Sequence, residues 1–352
     1  MSLAILDASE ALQQLDRFGT VIDARSPAEF ALDHLPGALN WPTLNDDERR
    51  VVGTVYKQVG PFDARKLGAA MAARNIAGHI ERELTDTRKD WAPLVYCWRG
   101  GKRSGSLALV LDQIGFRVTL LEGGYKAFRS ALVKDVGERI RSLSLRVICG
   151  TTGSGKTRLL QALRTRGAQV IDLEQLACHR SSILGALPGT PQPSQKHFEM
   201  RLWDALRRLD PDHPVYIESE SRKVGNLTVP EQLVQAMWQS PCLMLQLPQS
   251  ERVALLLEDY PHWARQPDLL ATRLDVLTEL KGRAVVQRWQ DHLRAGAIAE
   301  VVQDLLVQHY DPSYLQSTRR HYRQLDAALT IAPRDRSIQS MDLLAQQLLT
   351  NG

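Results

Sequence analysis

The first third of the chain alternates short apolar runs with longer stretches of helical spacing. The apolar runs are "GTVIDAR" (19–25), "PLVYC" (93–97) and "RVTLLEGG" (117–124). Between them, "DARKLGAAMAARNI" (63–76) and "SGSLALVLDQIGF" (104–116) carry apolar residues at the spacing of amphipathic helices. Strands that alternate with helices predict an α/β domain with a parallel sheet that is covered on both faces.

A second α/β pattern begins after the charge-rich stretch "SALVKDVGERIRSLS" (130–144). Its predicted strands are "LRVIC" (145–149), "AQVID" (168–172), "PVYIE" (214–218) and "CLMLQL" (242–247). After about residue 250 the apolar spacing becomes helical. We therefore predict four parts, which are an α/β domain over 1–135, a linker over 136–143, a second α/β domain over 144–250 and a helical part over 251–352 packed on that second domain.

Composition limits the classes of protein to which the chain can belong. A chain of 352 residues is long enough for two domains, and 43% hydrophobic with 24% charged residues is typical of a soluble globular protein. No apolar run approaches the roughly 20 residues that span a bilayer, and we expect no signal peptide. Four cysteines without CxxC spacing argue against zinc and disulfide frameworks and favour a reducing cytoplasm. The net charge of +4 is compatible with a polyanionic partner.

The stretch "YCWRGGKRSG" (96–105) places Cys97 between a predicted strand and a helix that begins near Ser104. The amino end of a helix presents free N–H groups and a positive dipole, which favour a thiolate and can bind a tetrahedral anion. Cys97 is therefore a candidate nucleophile, and a buried structural cysteine is the alternative. The predicted anion loop comprises Trp98, Arg99, Gly100, Gly101, Lys102, Arg103 and Ser104.

Two further segments flank this loop, "VIDARSPAEFALDHLPGALNWP" (21–42) and "LLEGGYKAF" (120–128). Together with "CWRGGKRS" they resemble the rhodanese family over residues 1 to about 130. The resembling positions are Asp23, Arg25, Glu29, Phe30, His34, Pro36, Gly37, Ala38, Asn40, Gly123 and Gly124. The resemblance implies a rhodanese-like fold and a Cys97 that carries or attacks a sulfur or selenium atom.

The Cys97 loop runs to Arg103, one residue further than in many rhodaneses. Its Cys-x5-Arg spacing also resembles phosphatases of the rhodanese-like fold, in which a histidine usually precedes the cysteine. Here Tyr96 stands at that position. A longer loop offers room for a larger anion such as a phosphate-type donor.

The octapeptide "GTTGSGKT" (150–157) matches the P-loop motif G-x-x-x-x-G-K-[ST] in full, after a predicted strand and before a predicted helix, and is called the P-loop below. This motif binds a diphosphate through backbone amides and a lysine, and its hydroxyl residue can hold Mg²⁺. The predicted diphosphate site comprises Gly150, Gly153, Ser154, Gly155, Lys156 and Thr157, with Thr157 as the Mg²⁺ ligand. The motif does not by itself indicate ATP hydrolysis.

Acidic residues end two of the predicted strands of this second domain. Asp172 and Glu218 are each either a second carboxylate for a metal or a solvated strand-end acid. Polar residues at 217–226 follow a strand end, where open α/β sheets bind ligands, and are otherwise a polar turn. The segments 179–185 and 192–199 are predicted loops that could close over the site.

The order of "CWRGGKRS", "GTTGSGKT", "DLEQLACHRSS", "QPSQKHFE", "ESESRKVGN" and "YDPSYLQSTRR" resembles the tRNA 2-selenouridine synthase family nearly end to end. The resemblance implies conversion of a wobble 2-thiouridine in tRNA to 2-selenouridine through an S-geranyl intermediate. Geranyl diphosphate and selenophosphate would be co-substrates, with no tightly bound cofactor and no membrane partner. The P-loop would then hold a leaving diphosphate, and the Cys97 loop would handle selenium.

A tRNA partner also brings a base to the cysteine loop, where Trp98 could stack on it or simply pack the loop. A tRNA partner requires cationic contacts to its backbone. The stretch "STRRHYRQ" (317–324) supplies Arg319, Arg320 and Arg323, which are either tRNA contacts or a solvated helix face. Two other functions stay open from the residues alone. One is a P-loop small-molecule kinase fused to a sulfurtransferase, and the other is a non-catalytic RNA-binding protein.

Overall fold

The computed structural model describes residues 3–180, 185 and 189–350. Its strands in chain order are β1 (Ala4–Leu6), β2 (Val21–Asp23), β3 (Ala38–Asn40), β4 (Leu94–Tyr96), β5 (Thr119–Leu121), β6 (Leu145–Cys149), β7 (Gln169–Ile171), β8 (Val215–Glu218), β9 (Lys223–Val224), β10 (Leu227–Thr228), β11 (Cys242–Leu245) and β12 (Leu329–Ile331).

The α-helices, again in chain order, are α1 (Ala8–Gln14), α2 (Pro27–Leu32), α3 (Asp46–Gln58), α4 (Pro61–Glu83), α5 (Lys102–Ile114), α6 (Gly124–Ser142), α7 (Lys156–Thr165), α8 (Leu173–Ala177), α9 (Gln195–Leu206), α10 (Glu231–Gln239), α11 (Gln249–Asp259), α12 (Pro261–Arg265), α13 (Pro267–Leu274), α14 (Thr278–Lys281), α15 (Arg283–Arg294), α16 (Ile298–Leu305), α17 (Asp311–His321) and α18 (Ile338–Thr350). Short 3₁₀ turns cover Leu15–Arg17 and Asp275–Leu277, and a π-helical turn covers Leu306–Tyr310.

The chain forms two compact units. The first extends to Arg139 and also contains Pro193–Arg207, and the second comprises Ile140–Gln192 and the chain from Arg208 onward. These bounds differ from the predicted ranges in two ways. Residues 136–142 of the predicted linker are part of the continuous helix α6, and Pro193–Arg207 lies outside the second unit.

The first unit is built on a five-stranded parallel sheet with strand order β1-β5-β4-β2-β3. The β4 strand is fully buried, as expected for a central strand of a sheet that is covered on both faces. One hydrophobic core includes Ile22, Val95 and Leu107 together with the side chain of Cys97. The predicted rhodanese-like α/β architecture is therefore present, and it places the carboxyl end of β4 at the Cys97 loop.

The second unit also has a five-stranded parallel sheet, with order β12-β11-β6-β8-β7. The P-loop follows the central strand β6, and β8 lies beside it. The C-terminal part is largely helical, as predicted, and departs from the prediction at one place. There β12 pairs in parallel with β11 and extends this sheet, a strand too short to stand out in the hydrophobic pattern.

Helices α12 to α16 of the second unit have a hydrophobic core of their own. Trp289 and Leu274 are fully buried in it, beside Trp263, Leu270 and Leu305. This core is distinct from the one between α7, α18 and the sheet, which contains Leu159, Leu163 and Met341. The helices α12 to α16 thus form a small bundle that packs against α11 of the same unit.

Candidate active site

Cys97 lies immediately after β4, and its side chain is 3% exposed. The following helix α5 begins at Lys102, two residues before the predicted Ser104, and Gly101 occupies its N-cap position without a side-chain cap. The predicted strand, loop and helix around the cysteine are therefore all present. The sulfur accepts a hydrogen bond from the hydroxyl of Ser104 across 3.1 Å.

The backbone of the loop is held by the first turn of α6. The N–H of Tyr125 donates to the carbonyl of Cys97 at 2.8 Å, and the N–H of Lys126 donates to that of Trp98 at 3.0 Å. A Cβ atom added at Gly124 would lie 2.2 Å from the Cys97 carbonyl oxygen, so only glycine permits this approach. Gly100 has a φ of +64°, as expected for a residue that turns the loop. The late Gly-Gly segment of the sequence thus supports the cysteine loop.

Three other rhodanese-like positions, Asp23, Arg25 and Asn40, hold the chain that follows β2. Arg25 and Asp23 form a buried ion pair at 2.6 Å, and Arg25 also donates to the carbonyl of Asp33 at 2.6 Å. Burial lowers the pKa of Arg25, but the hydrogen bond and charge of Asp23 outweigh it and raise that pKa. The side-chain amide of Asn40 donates to the carbonyls of Asp23 and Arg25. These residues position the strand ends and do not themselves reach the sulfur.

The cationic residues of the loop divide into two kinds. Arg99 and Lys102 are exposed, whereas the guanidinium of Arg103 donates to the carboxylate of Glu29 at 2.6 Å. Burial raises the pKa of Glu29, but the hydrogen bond and charge of Arg103, with the charge of Arg49, hold it below its ordinary value. Arg103 is therefore paired with Glu29. The sequence resemblance had identified Glu29 as a rhodanese-like position without giving it a partner.

Helix α9 lies beside the Cys97 site. The prediction of a loop over 192–199 beside the P-loop is wrong, because Gln195–Leu206 is helical and belongs to the first unit. The hydroxyl of Ser194 caps this helix by accepting from the N–H of His197, and Ser194 also donates to the carbonyl of Leu32. A serine followed by an amphipathic stretch is an N-cap signal that could have identified the helix from the sequence.

Two polar side chains of α9 face the cysteine loop and its supports. The ammonium of Lys196 lies 5.9 Å from the ring centre of Trp98, which itself stacks on Tyr125. His197 lies 3.2 Å from the buried carboxylate of Asp33 and 5.0 Å, between ring centres, from His34. Trp98 is half-buried and packs the loop in this structure.

The P-loop of the second unit opens into a cleft of about 650 Å³. The cleft is lined by five of the six predicted diphosphate residues, namely Gly153, Ser154, Gly155, Lys156 and Thr157. Gly150 lies outside the lining, and its N–H donates to the hydroxyl of Tyr314 at 2.7 Å. The ammonium of Lys156 donates to the carbonyl of Gly150 at 2.7 Å and lies 5.5 Å from the ring centre of Tyr314. The predicted P-loop therefore has its lysine folded against the loop, with a tyrosine of α17 as its neighbour.

Two hydrogen bonds connect Thr157, through Glu174, to Glu218 at the end of β8. The hydroxyl of Thr157 donates to the carboxylate of Glu174 at 3.2 Å, and the N–H of Glu174 donates to Glu218 at 3.0 Å. Asp172 accepts from the N–H of Gln175 and so caps α8. Asp172 and Glu218 are both buried and lie outside the cleft lining, whereas Glu174 and Glu220 line it. Neither predicted strand-end acid is thus solvated.

Burial raises the pKa of Glu218 well above its ordinary value, and the negative charges of Asp172, Glu220 and Glu174 raise it further. Burial also raises the pKa of Asp172. One oxygen of Glu218, Oε2, is buried without a hydrogen-bond partner among the described residues. Within the described residues no group of three His, Cys, Asp or Glu side chains could hold a metal ion. Thr157 and Glu174 are oxygen donors of the kind that Mg²⁺ takes, and they would be its protein ligands if the ion binds beside the P-loop.

The outer part of the cleft is aromatic and cationic. The ring of Trp238 stacks on His321 at 4.5 Å between centres, and the guanidinium of Arg222 lies 5.1 Å from the Trp238 ring centre. The predicted polar segment after β8 contributes Ser219, Glu220, Ser221, Arg222 and Lys223 to the lining. The end of β8 therefore faces a cavity.

The three arginines predicted as tRNA contacts lie close to this part of the cleft. Arg319 and Arg320 are exposed in the last turn of α17, and Arg323 is exposed just beyond it. The N–H of Arg323 donates to the carbonyl of Trp238 at 2.9 Å. Their role with tRNA stays a prediction.

Sequence reasoning missed two residues of the P-loop site. Glu174 stands two positions after Asp172, so a closer look at the "DLE" tripeptide after the strand would have included it. Tyr314 is far from the P-loop in the chain, and it reaches Gly150 and the hydroxyl of Ser219 only through the fold. Of the predicted closing loop 179–185, residues 181–184 lie outside the described residues.

Two family models match the chain. A rhodanese-like domain matches residues 7–131, and a domain described as the tRNA 2-selenouridine synthase AAA domain matches residues 143–269. Together they cover the Cys97 loop and the P-loop in the order in which the two units carry them. No helix of the described part of the chain is long and apolar enough to cross a membrane.

Relatives with both halves are similar over most of their length. The chain is 35% identical to a tRNA 2-selenouridine synthase of Aeromonas salmonicida, covering 84% of this chain and 86% of that protein. It is 34% identical to one of Marinobacter nauticus over 84% of this chain and 87% of that protein. It is 38% identical to one of Nitrosomonas europaea over 68% of this chain and 63% of that protein. Because the first two of these matches cover 84% of this chain at 34–35% identity, the chain belongs to the tRNA 2-selenouridine synthase family.

Proposed function

We propose that this protein is a tRNA-modifying transferase that converts a wobble 2-thiouridine to 2-selenouridine in two steps. Geranyl diphosphate first alkylates the thiocarbonyl sulfur, and selenium from selenophosphate then replaces the geranylated sulfur. Family membership supports the tRNA modification. The observation that supports two steps is the presence, in one chain, of a diphosphate loop with Lys156 and a buried cysteine hydrogen-bonded by Ser104.

The alkylation is assigned to the P-loop cleft. A bond forms between the sulfur and C1 of the geranyl group, while the C1–O bond breaks and its electron pair stays on the diphosphate. The base loses its N3 proton to solvent. Backbone amides of Gly153–Thr157 and the ammonium of Lys156 stabilise the charge that grows on the leaving diphosphate. Lys156 must therefore exchange its hydrogen bond to the Gly150 carbonyl for the diphosphate.

The selenium step is assigned to the Cys97 loop. Selenium adds to C2 of the base, the C2–S bond breaks, and geranylthiol leaves after taking a proton. Water takes the phosphoryl group of selenophosphate and releases phosphate, so the atoms balance. Amides at the start of α5, with the exposed cations Arg99 and Lys102, suit binding of the selenophosphate anion.

The partners follow from this chemistry. The substrate is a tRNA that already carries 2-thiouridine, and a selenophosphate supply is needed in the same compartment, which we expect to be the cytoplasm. Arg319, Arg320 and Arg323 are proposed to contact the tRNA backbone. No tightly bound cofactor is required, and Mg²⁺ would accompany the diphosphate at Thr157.

Nucleoside mass spectrometry tests the proposal. Purified protein is incubated with 2-thiouridine tRNA and geranyl diphosphate, with and without selenophosphate. We expect a geranylated nucleoside that becomes a selenonucleoside only when selenophosphate is present. Lys156→Ala should lose alkylation by at least about a hundredfold, and Cys97→Ala should lose selenium transfer alone.

Matched controls keep these results specific. Lys57→Ala removes an exposed lysine of the first unit, and Cys178→Ala removes a different thiol. Both should retain both steps. An unchanged tRNA under every condition would overturn the proposed function, and turnover of ATP with cleavage of thiosulfate would then favour a kinase fused to a sulfurtransferase.

A further inference from the structure

A small apolar cavity of about 60 Å³ adjoins the P-loop cleft within the second unit. It shares four lining residues with the cleft, namely Thr152, Leu256, Tyr260 and Tyr310. The deeper lining, which the cleft does not share, consists of Leu257, Trp263, Leu270, Ile298, Val302, Leu305 and Leu306. A molecule in the cleft can therefore extend past the shared residues into the cavity.

The two spaces differ in chemistry. The cleft presents the P-loop together with charged side chains such as Lys156, Glu174 and Arg222. The deeper lining of the cavity consists of aliphatic side chains and one tryptophan. A nucleoside placed there would bury its base and ribose without enough hydrogen-bond partners, and that arrangement is costly. A hydrocarbon chain gains from leaving water and has no polar group to leave unpaired.

The local helix geometry agrees with a built cavity. The chain passes from α16 to α17 through the π-helical turn Leu306–Tyr310, and both ends of this turn line the cavity. Such turns are rare in proteins, and a large share of them lie at functional sites. The turn also brings Tyr310 to the mouth, beside Tyr260, whose ring lies 4.7 Å from the guanidinium carbon of Arg180. The mouth of the cavity thus has the guanidinium of Arg180 on one side and the apolar lining on the other.

We propose that this cavity binds the hydrocarbon tail of a prenyl diphosphate whose diphosphate lies on the P-loop, and that its deeper lining sets the length of tail that is accepted. The inference rests on the proposed function and extends it, because it identifies the residues that select the donor. A cavity of this size holds roughly four to six waters, at about 10–15 Å³ for each water centre. It therefore suits a short prenyl tail better than a long one.

Val302 is the position that tests this best. It belongs to the deeper lining, and it is half-buried, so a change in its size can be accommodated without filling the bundle core. Val302→Phe shortens the cavity, and Val302→Ala lengthens it. Val307→Phe is the matched control, since Val307 lies in the π-helical turn, is 52% exposed and does not line the cavity.

The experiment offers dimethylallyl, geranyl and farnesyl diphosphates, a series of rising tail length, with 2-thiouridine tRNA. The S-alkyl nucleosides are quantified by mass spectrometry. Binding of geranyl diphosphate and of inorganic diphosphate is measured separately by calorimetry. Because each buried methylene strengthens binding about fourfold, Val302→Phe should lower kcat/KM for geranyl diphosphate about tenfold or more. It should leave dimethylallyl transfer and inorganic diphosphate affinity within about twofold, and Val302→Ala should raise the use of farnesyl relative to geranyl.

The outcomes separate this inference from the proposed function. Prenyl transfer with the same chain-length profile in the wild type, Val302→Phe and Val302→Ala would overturn the tail cavity and leave the proposed function standing. Absence of any prenyl transfer would overturn the proposed function instead. In that case the binding measurements decide whether the cavity holds the tail. Geranyl diphosphate must then bind more tightly than inorganic diphosphate. Val302→Phe must remove this difference in affinity, and Val307→Phe must not.

Discussion

The hydroxyl of Ser104 donates a hydrogen bond to the sulfur of Cys97 across 3.1 Å, from the first turn of the helix that follows the cysteine loop. Ser104 is itself fully buried, and its hydroxyl also lies 3.3 Å from the carbonyl of Gly101. A donor held in this position fixes the sulfur beside the first turn of α5. The serine therefore links the start of α5 to the chemistry of the thiol.

The first prediction is that Ser104→Ala slows selenium transfer roughly tenfold and leaves alkylation unchanged, since the sulfur loses the hydrogen bond that holds it in place. Nucleoside mass spectrometry measures both steps in one assay. Ser106→Ala is the control, because the hydroxyl of Ser106 bonds the Lys102 and Arg103 carbonyls and not the sulfur. Equal rates of selenium transfer in wild type and Ser104→Ala would contradict the assignment.

Much of the fold could be predicted because each sheet strand near a site is a compact apolar run. The strands β4 and β6 are buried, so their composition alone marks them, and each is followed by a glycine-containing loop and a helix. Those features are local in sequence. The strand–loop–helix units around Cys97 and Lys156 were therefore accessible without a structure.

Contacts between distant segments could not be predicted in the same way. Tyr314 reaches Gly150 from 164 positions away, and Asp33 meets His197 across the same number. Helix α9 was assigned to the wrong unit because its composition suits an anion-binding loop, whereas its position depends on contacts such as that of Ser194 with Leu32. Propensity describes neighbours in sequence, and these contacts are decided by tertiary packing.

The second prediction concerns Lys196, whose ammonium lies 5.9 Å from the ring centre of Trp98 in the cysteine loop. Lys196→Ala should raise the KM for selenophosphate about three- to tenfold with little change in kcat, because one positive charge near the anion loop is lost. The effect should shrink as salt is added. Lys134→Ala removes an exposed lysine of the same unit and should change neither constant. A salt-independent fall in kcat for Lys196→Ala would instead indicate a structural role.

The third prediction concerns Tyr314, whose hydroxyl accepts from the Gly150 N–H and hydrogen-bonds the hydroxyl of Ser219, each at 2.7 Å. Tyr314→Phe leaves the Gly150 N–H without this acceptor. We expect the free energy of unfolding to fall by about 1–3 kcal/mol, and alkylation to slow more than selenium transfer. Denaturant titration and the nucleoside assay measure the two effects. Tyr56→Phe, at a 58% exposed tyrosine, should leave both unchanged. Unaltered stability and alkylation in Tyr314→Phe would refute this role.

The fourth prediction is that Glu218 makes stability depend on pH. Burial, followed by the charges of Asp172, Glu220 and Glu174, raises its pKa in the folded protein well above the value of 4.5 that it has when unfolded. The folded state therefore holds this proton more tightly than the unfolded state, and the resulting stability is fully present below pH 4.5. It is lost as the pH rises from there through the raised pKa of the folded protein.

Glu218→Gln removes this titration while a side-chain oxygen still accepts from the Glu174 N–H. The Tm of the variant should therefore fall less than the Tm of the wild type as the pH is raised from acid to neutral. A chelator is present in both samples so that no metal contributes. Glu279→Gln, at an exposed glutamate of α14, should follow the wild type. Parallel curves of Tm against pH for wild type and Glu218→Gln would mean that Glu218 is ionised in the fold without a net cost. That result would require a cation or a donor at its Oε2, the oxygen that has no partner among the described residues.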